Sequence, residues 1–287
     1  MPPVPTPFDG RGEIAPGKLE ENIAQLATHP LRGFVILGSN GEYVYLDEDE
    51  KSAMFKAARR AIPRDKLFIA GTGAESTRAT LRLTKLAAEV GADAAIIITP
   101  AYYKPAMTGE AMLRHFSAVA DASPIPVMLY NMPAYAGVDM SVETILKLAE
   151  HPNIIGLKES SPNIVKISEI TRAVLEKGLE FAVLAGSASY LQPSLMMGAS
   201  GGILASVNVA PAHCVKIYEA YRQGNVEESR RLQHAILPLN AAVTTKHGVA
   251  GLKFIMDRIG LYGGPVRPPL LPLAPADQEA LLKLPLP

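Results

Sequence analysis

The chain has 287 residues, enough for one large domain or two smaller ones at roughly 100–200 residues each, and a barrel-type α/β fold can use the whole length as one. Hydrophobic residues make up 48% and charged residues 20%, with 28 Lys plus Arg against 28 Asp plus Glu, so the charge excess expected of a nucleic-acid or anionic-membrane surface is missing. A single cysteine, Cys214, excludes an intrachain disulfide and a Cys-rich zinc site, and fits a reducing compartment.

At the N-terminus, Met-Pro-Pro-Val-Pro-Thr-Pro has neither the basic nor the apolar stretch of a secretory signal. No apolar run approaches the roughly 20 residues that span a bilayer. The expectation is a cytoplasmic protein with no nucleic-acid or membrane partner. A short strand at Val4–Thr6 is followed by apolar runs at Gly33–Gly38, Leu67–Gly71, Ala94–Thr99, Pro126–Tyr130, Ile154–Lys158, Phe181–Ala185 and Gly202–Ser206, each bounded by a turn residue. Between them Leu19, Ile23 and Leu26 share one helical face, as do Leu83, Leu86 and Val90, and again Ile167, Ile170 and Val174. Gly91 and Gly178 stand where left-handed helix caps belong.

The strand ends recur at about the 30-residue period of a βαβ unit. Strands that are apolar throughout, rather than alternating, need helices over both faces of a parallel sheet. Eight of them, with no glycine fingerprint after the first, predict a (β/α)8 TIM barrel over residues 1–225 in preference to a doubly wound open sheet. Residues 226–287 show only helical patterns, Val226–Leu237 and Val249–Ile259, followed by a proline-rich tail with one short helix over Pro275–Leu284. They predict a C-terminal helical extension packed on the barrel.

In such a barrel the chemistry belongs to the C-terminal ends of the strands. There stand Gly38-Ser39-Asn40-Gly41-Glu42, Gly71-Thr72-Gly73, Thr99-Pro100, Tyr130-Asn131, Lys158-Glu159-Ser160-Ser161, Gly186-Ser187 and Ser206-Val207-Asn208. Lys158 closes the run Ile-Ile-Gly-Leu-Lys, where an apolar interior meets a strand end. Desolvation there disfavours the ammonium, and a neutral amine is what attack on a ketone requires. The same position suits a lysine that snorkels outward or pairs with Glu159. Tyr130 ends the preceding strand, about 4.8 Å away, so its phenol can serve the same site as a proton shuttle or simply fill the core.

Two other features admit two readings. Gly38 to Glu42 can form a nest of backbone N–H groups around a carboxylate, or only a tight turn into the helix beginning near Asp47. A second Gly-Leu-Lys, at Gly251-Leu252-Lys253, lies in a helical pattern with Asp257 four residues on, which predicts an exposed helix face. The six histidines form no His-x-x-x-His pair and stand at no strand end, Gly71-Thr72-Gly73 lacks a third glycine, and no Walker sequence occurs. Neither a metal nor a nucleotide cofactor is expected.

Gly38-Ser39-Asn40-Gly41-Glu42, Tyr130-Asn131-Met132-Pro133, Gly156-Leu157-Lys158-Glu159-Ser160 and Ala185-Gly186-Ser187 resemble, in order and spacing, the motifs of the dihydrodipicolinate synthase and N-acetylneuraminate lyase family of class I pyruvate aldolases. The resemblance runs over nearly the whole chain. It implies a (β/α)8 barrel with helical extension, usually a homotetramer, and cofactor-free chemistry through a lysine imine with pyruvate or a related keto acid. By that likeness Lys158 forms the imine and Tyr130 shuttles protons. Ser39 and Asn40 hold the keto-acid carboxylate, with Ser39 also relaying protons, and Gly186 and Ile203 offer backbone contacts to the pyruvate unit. Tyr102, with Tyr103 as the alternative, matches a tyrosine lent by a neighbouring subunit.

The synthase branch of the family carries two threonines where Ser39-Asn40 stands, and an arginine that grips the aspartate semialdehyde carboxylate where this chain has Tyr135. Gly-Ser-Asn-Gly-Glu, Lys-Glu-Ser and the runs at Asn240–Thr244, Gly251–Lys253 and Tyr262–Pro265 are more similar to the 4-hydroxy-2-oxoglutarate aldolases and 2-keto-3-deoxy sugar acid aldolases. On that likeness Ser160 contacts the distal part of the substrate. The resemblance thus implies a lyase acting on a 4-hydroxy-2-oxo acid. A dihydrodipicolinate synthase is the first alternative, and a non-catalytic keto-acid-binding barrel the second.

Overall fold

The computed structural model describes residues 1–286; Pro287, the end of the proline-rich tail, lies outside the described residues. Eight strands, β1 (Pro3–Val4), β2 (Gly33–Ile36), β3 (Leu67–Gly71), β4 (Ala94–Ile98), β5 (Val127–Asn131), β6 (Ile154–Glu159), β7 (Ala182–Ala185) and β8 (Gly201–Gly202), form one sheet in the order β1 to β8. Pairings along it are parallel, as between β5 and β6 and between β6 and β7. This is the strand order of a (β/α)8 barrel.

Helices alternate with the strands: α1 (Pro16–Leu26), α2 (Glu48–Ala61), α3 (Thr77–Val90), α4 (Gly109–Ala122), the one-turn α5 (Pro133–Ala136), α6 (Val142–Ala149), α7 (Ile164–Glu176), α8 (Leu191–Met196) and α9 (Pro211–Arg222). After them come α10 (Val226–Ala241), α11 (Gly248–Arg258) and α12 (Pro275–Leu282). Local chemistry sets their ends. Asp47 caps α2 in a full capping box with Glu50, Ser76 caps α3, Asn163 caps α7, and Gly91 closes α3 at φ +93°. The expected helix faces are buried at Leu19, Ile23, Leu26, Leu83, Ile167 and Ile170.

Strand ends depart from expectation where the backbone turns early. β2 stops at Ile36 because Leu37 adopts a left-handed φ of +59°, unusual for a side chain branched beyond Cβ. β8 shrinks to two glycines: Leu204 N donates to Met1 O at 3.0 Å, and the chain then winds into a 3-10 turn at Ala205–Asn208. Helix α10 runs through Pro238 instead of ending at Leu237. Proline removes one donor from its ladder, and the chain continues as a five-residue π-turn, Ala242–Lys246.

The chain gathers into two compact units. One comprises 1–68, 187–192 and 203 onward, and holds β1, β2, α1, α2 and α9 to α12 around Phe8, Phe34, Phe55 and Phe68. Within it α10 lies on α9, where Ser229 Oγ donates to Ile217 O at 2.9 Å and His213 Nε2 to Leu232 O at 2.8 Å. The other comprises 69–186 and 193–202, and holds the end of β3, β4 to β8 and α3 to α7 around Ile97, Phe116, Leu129 and Leu157. Among the described residues no helix is long and apolar enough to cross a membrane.

Candidate active site

Tyr130 and Lys158 are register partners at the ends of β5 and β6. Both are buried, and Lys158 Nζ stands over the Tyr130 ring, 4.0 Å from its centroid. The strands reach this geometry because Gly156 permits a close approach: a Cβ there would lie 2.5 Å from Ala182 O on β7. An amine held on a phenol face, at the end of an apolar strand, is an arrangement suited to imine chemistry.

Glu159 follows Lys158 as the last residue of β6. Its fully buried carboxylate accepts from Asn131 Nδ2 at 3.0 and 2.9 Å and from Ser161 N at 2.7 Å, and lies 3.3 Å from Lys166 Nζ. Lys166, from the first turn of α7, also pairs with Asp139, which accepts from Asn131 Nδ2 at 2.7 Å. Asn131 Oδ1 in turn accepts from Met140 N at 3.0 Å. This mesh ties the ends of β5 and β6 to α7, one residue beyond each member of the Tyr130–Lys158 pair. Sequence reading passed over Lys166 and Asp139. The available signal was that Lys166 falls one turn before Ile170, on the apolar stripe of α7.

Ser160 and Gly186 are brought together. Ser160 N donates to Asn131 O at 2.9 Å, Gly186 N donates to Glu159 O at 2.8 Å, and a Cβ on Gly186 would fall 1.9 Å from Ser160 Oγ. Gly186→Ala is therefore expected to displace Ser160 and raise KM at least about tenfold, with a smaller change in kcat, as loss of uniform substrate binding does. Steady-state kinetics of the purified variant measure it, and an unchanged KM would show that Ser160 has no part in binding.

Tyr102 and Tyr103 are both exposed, at 78% and 71%, and meet edge to face with centroids 5.0 Å apart. Glu75 steadies their loop by accepting from Ala101 N at 2.9 Å and Tyr102 N at 2.8 Å. Tyr135 is 62% exposed on α5. Its phenol is pushed above the ordinary tyrosine value, first by partial desolvation and then by the charge of nearby Tyr130.

In the other unit, Ser39 and Asn40 form a 3-10 turn, Ser39–Gly41, set between two left-handed non-glycine residues, Leu37 and Glu42 at φ +52°. Of the two readings of this stretch, a tight turn is present: Gly41 N donates to Gly38 O at 2.8 Å and Glu42 N to Ser39 O at 3.1 Å, inside the turn. The side chain of Asn40 offers a donor: its Nδ2 is buried and has no hydrogen-bond partner among the described residues. Ile203 is fully buried just after β8.

Lys253 overturns the expectation of an exposed helix face. It is 1% exposed and pairs with Glu42, Nζ to Oε1 at 2.5 Å, while Asp257 accepts from Gly263 N at 2.8 Å instead. Burial pushes the Lys253 ammonium below its ordinary value, and Glu42 opposes the shift. Sequence spacing could not show this, since Glu42 lies more than two hundred residues away. Among the described residues no group of three or more His, Cys, Asp or Glu side chains is placed to hold a metal ion.

Comparison with known proteins matches residues 1–284 to the model described as the dihydrodipicolinate synthetase family. The chain is 39% identical over 278 residues to a probable mitochondrial 4-hydroxy-2-oxoglutarate aldolase of Emericella nidulans, covering 95% of this chain and 88% of that one. It is 37% identical over 274 residues to an L-threo-3-deoxy-hexylosonate aldolase of Hypocrea jecorina, covering 92% and 86%. The crystal structure of a dihydrodipicolinate synthase from Bacillus anthracis superposes with a TM-score of 0.93 at 30% identity, covering 99% and 97%. The eight strands are thus those of a (β/α)8 barrel with C-terminal helices.

Proposed function

The chain belongs to the dihydrodipicolinate synthetase family of Schiff-base class I lyases, and on that premise we propose that it cleaves a 4-hydroxy-2-oxo acid, either 4-hydroxy-2-oxoglutarate or a 2-keto-3-deoxy sugar acid, with pyruvate as product or donor. The observation that carries the reading is Lys158 Nζ seated on the Tyr130 ring at paired strand ends. Nζ adds to the C2 carbonyl, the carbinolamine loses water, and the resulting iminium accepts the electron pair of the C3–C4 bond as it breaks. The C4 hydroxyl gives up its proton to become the aldehyde, C3 is protonated, and water releases the keto acid and the free lysine. Tyr130, assisted by Ser39 and Tyr102, moves these protons. Ser39 and Asn40 hold the carboxylate, Gly186 and Ile203 border the pyruvate unit, and Ser160 meets the distal end.

Tyr135 supports the substrate assignment. A guanidinium offers a carboxylate two parallel charge-assisted hydrogen bonds, a phenol one neutral donor, and the difference is worth roughly 1.5–3 kcal/mol. Arg267, a basic residue that could have taken that carboxylate in place of the missing arginine, is engaged with Glu50 and with the carbonyls of Gly12 and Tyr45. The expected result is a kcat/KM for cleavage at least about tenfold above that for condensation of pyruvate with aspartate semialdehyde, measured on one preparation. Faster condensation would assign the chain to the synthases. Borohydride with pyruvate is expected to add one reduced pyruvyl mass at Lys158. We further propose a homotetramer in which Tyr102 is lent across the tight dimer, and a fully active monomer in solution would refute that role.

A further inference from the structure

We propose that Lys253 and Glu42 are positioning residues for the keto-acid-binding turn: the ion pair between them lets the C-terminal helices hold Ser39 and Asn40 in place. The inference rests on the reading that this turn takes the substrate carboxylate. The turn is strained at both flanks, by Leu37 at φ +59° and Glu42 at φ +52°, and such backbone persists only where its surroundings over-determine it. On the N-terminal side, Thr6 Oγ1 donates to Gly41 O at 2.6 Å. On the other side, the C-terminal segment grips Glu42 by both oxygens, Oε1 at 2.5 Å from Lys253 Nζ and Oε2 accepting from Arg267 N at 2.9 Å.

The grip is itself anchored. Lys253 Nζ donates to Pro265 O at 2.7 Å and lies 4.5 Å from the Phe8 ring centroid, while the Arg267 guanidinium lies 4.4 Å from it. Arg267 also holds Glu50 by two hydrogen bonds, at 2.7 and 2.5 Å, and Glu50 closes the capping box that starts α2. The stretch from Ser39 to α2 is therefore pinned at both ends by residues of the C-terminal segment. An ion pair this buried is weak evidence of a gain in stability, because desolvation offsets the attraction. Its structural effect is to fix the backbone angle of Glu42, and with it the direction of the turn that precedes it.

The test compares Lys253→Met, Glu42→Gln and the double variant Glu42→Gln/Lys253→Met by thermal melting, by cleavage kinetics, and by the pyruvate concentration that half-saturates borohydride trapping. Lys253→Met strands a buried carboxylate and should lower Tm by roughly 10 °C. Glu42→Gln keeps the volume and the acceptor for Arg267 N but strands the buried Lys253 ammonium, and should also lower Tm. The double variant leaves no unpaired charge and should regain most of the lost Tm. If the pair positions the turn, the double variant and Glu42→Gln still show KM and half-trapping concentration raised at least about fivefold, with kcat within threefold and the adduct still on Lys158. Wild-type values of both in either folded variant would overturn the positioning role. Absence of any pyruvate adduct on wild-type Lys158 would instead overturn the functional reading beneath it.

Discussion

Lys158→Met is expected to abolish turnover, by on the order of 10⁴–10⁶ in kcat, the range seen when a covalent nucleophile is removed, while leaving the fold intact. Stability should survive because the neighbouring buried carboxylate, Glu159, is held by Asn131, Ser161 and Lys166. Methionine also matches the unbranched stem as far as Cε, with its sulfur where the lysine Cδ stands, so the apolar packing beside the Tyr130 ring is largely kept. The measurement pairs kcat with Tm and with mass mapping of the borohydride adduct. A Tm within a few degrees of wild type, with neither turnover nor adduct, is the expected outcome. Turnover above about one per cent of wild type, or an adduct appearing on Lys253, would remove Lys158 from the chemistry.

Tyr130→Phe carries the second largest effect. The ring stays, so the surface beneath Lys158 Nζ and the packing of the β5 end are kept, and only the hydroxyl is lost. Proton transfer by a positioned acid–base group contributes roughly 10²–10⁴-fold, and kcat should fall by that amount with little change in Tm. Borohydride trapping by pyruvate should slow as well, because forming the imine requires proton transfer to the departing hydroxyl. A loss below tenfold would leave Tyr130 as the floor on which the lysine rests, with the proton carried by another group.

The parts of the fold legible in the sequence were those set by local periodicity and by turn chemistry. The apolar runs ending at Gly71, Tyr130 and Lys158 gave β3, β5 and β6 nearly to the residue, the helix expected near Asp47 starts there, and Gly91 marked a helix end through capping. The register that sets Tyr130 beside Lys158 followed from strand order. What stayed hidden is long-range. Lys253 reads as exposed because a lysine four residues before Asp257 suits a solvated helix face, yet its partner Glu42 comes from the far end of the chain. Lys166 was invisible for the same reason, since its carboxylates arrive from β6 and from the loop at Asp139. The early end of β2 turns on a left-handed Leu37, a conformation that side-chain type argues against.

The contrast between α5 and the mesh beside it bears on how such enzymes diverge. Helix α5 is a single turn that begins at Pro133 and ends in left-handed Gly137, and Tyr135 projects from it largely into solvent. A substitution at 135 disturbs no buried hydrogen bond described above. Asn131, Glu159 and Lys166, in contrast, are all buried and joined to one another and to Asp139, so a single replacement would orphan several polar groups at once. On the proposed roles, the residue tied to substrate preference and the supports of the reactive lysine therefore sit on parts of the chain with very different tolerance to mutation. On that proposal a lineage can exchange residue 135 at little cost in stability, and explore new aldehyde partners, without passing through an intermediate that has lost its reactive lysine.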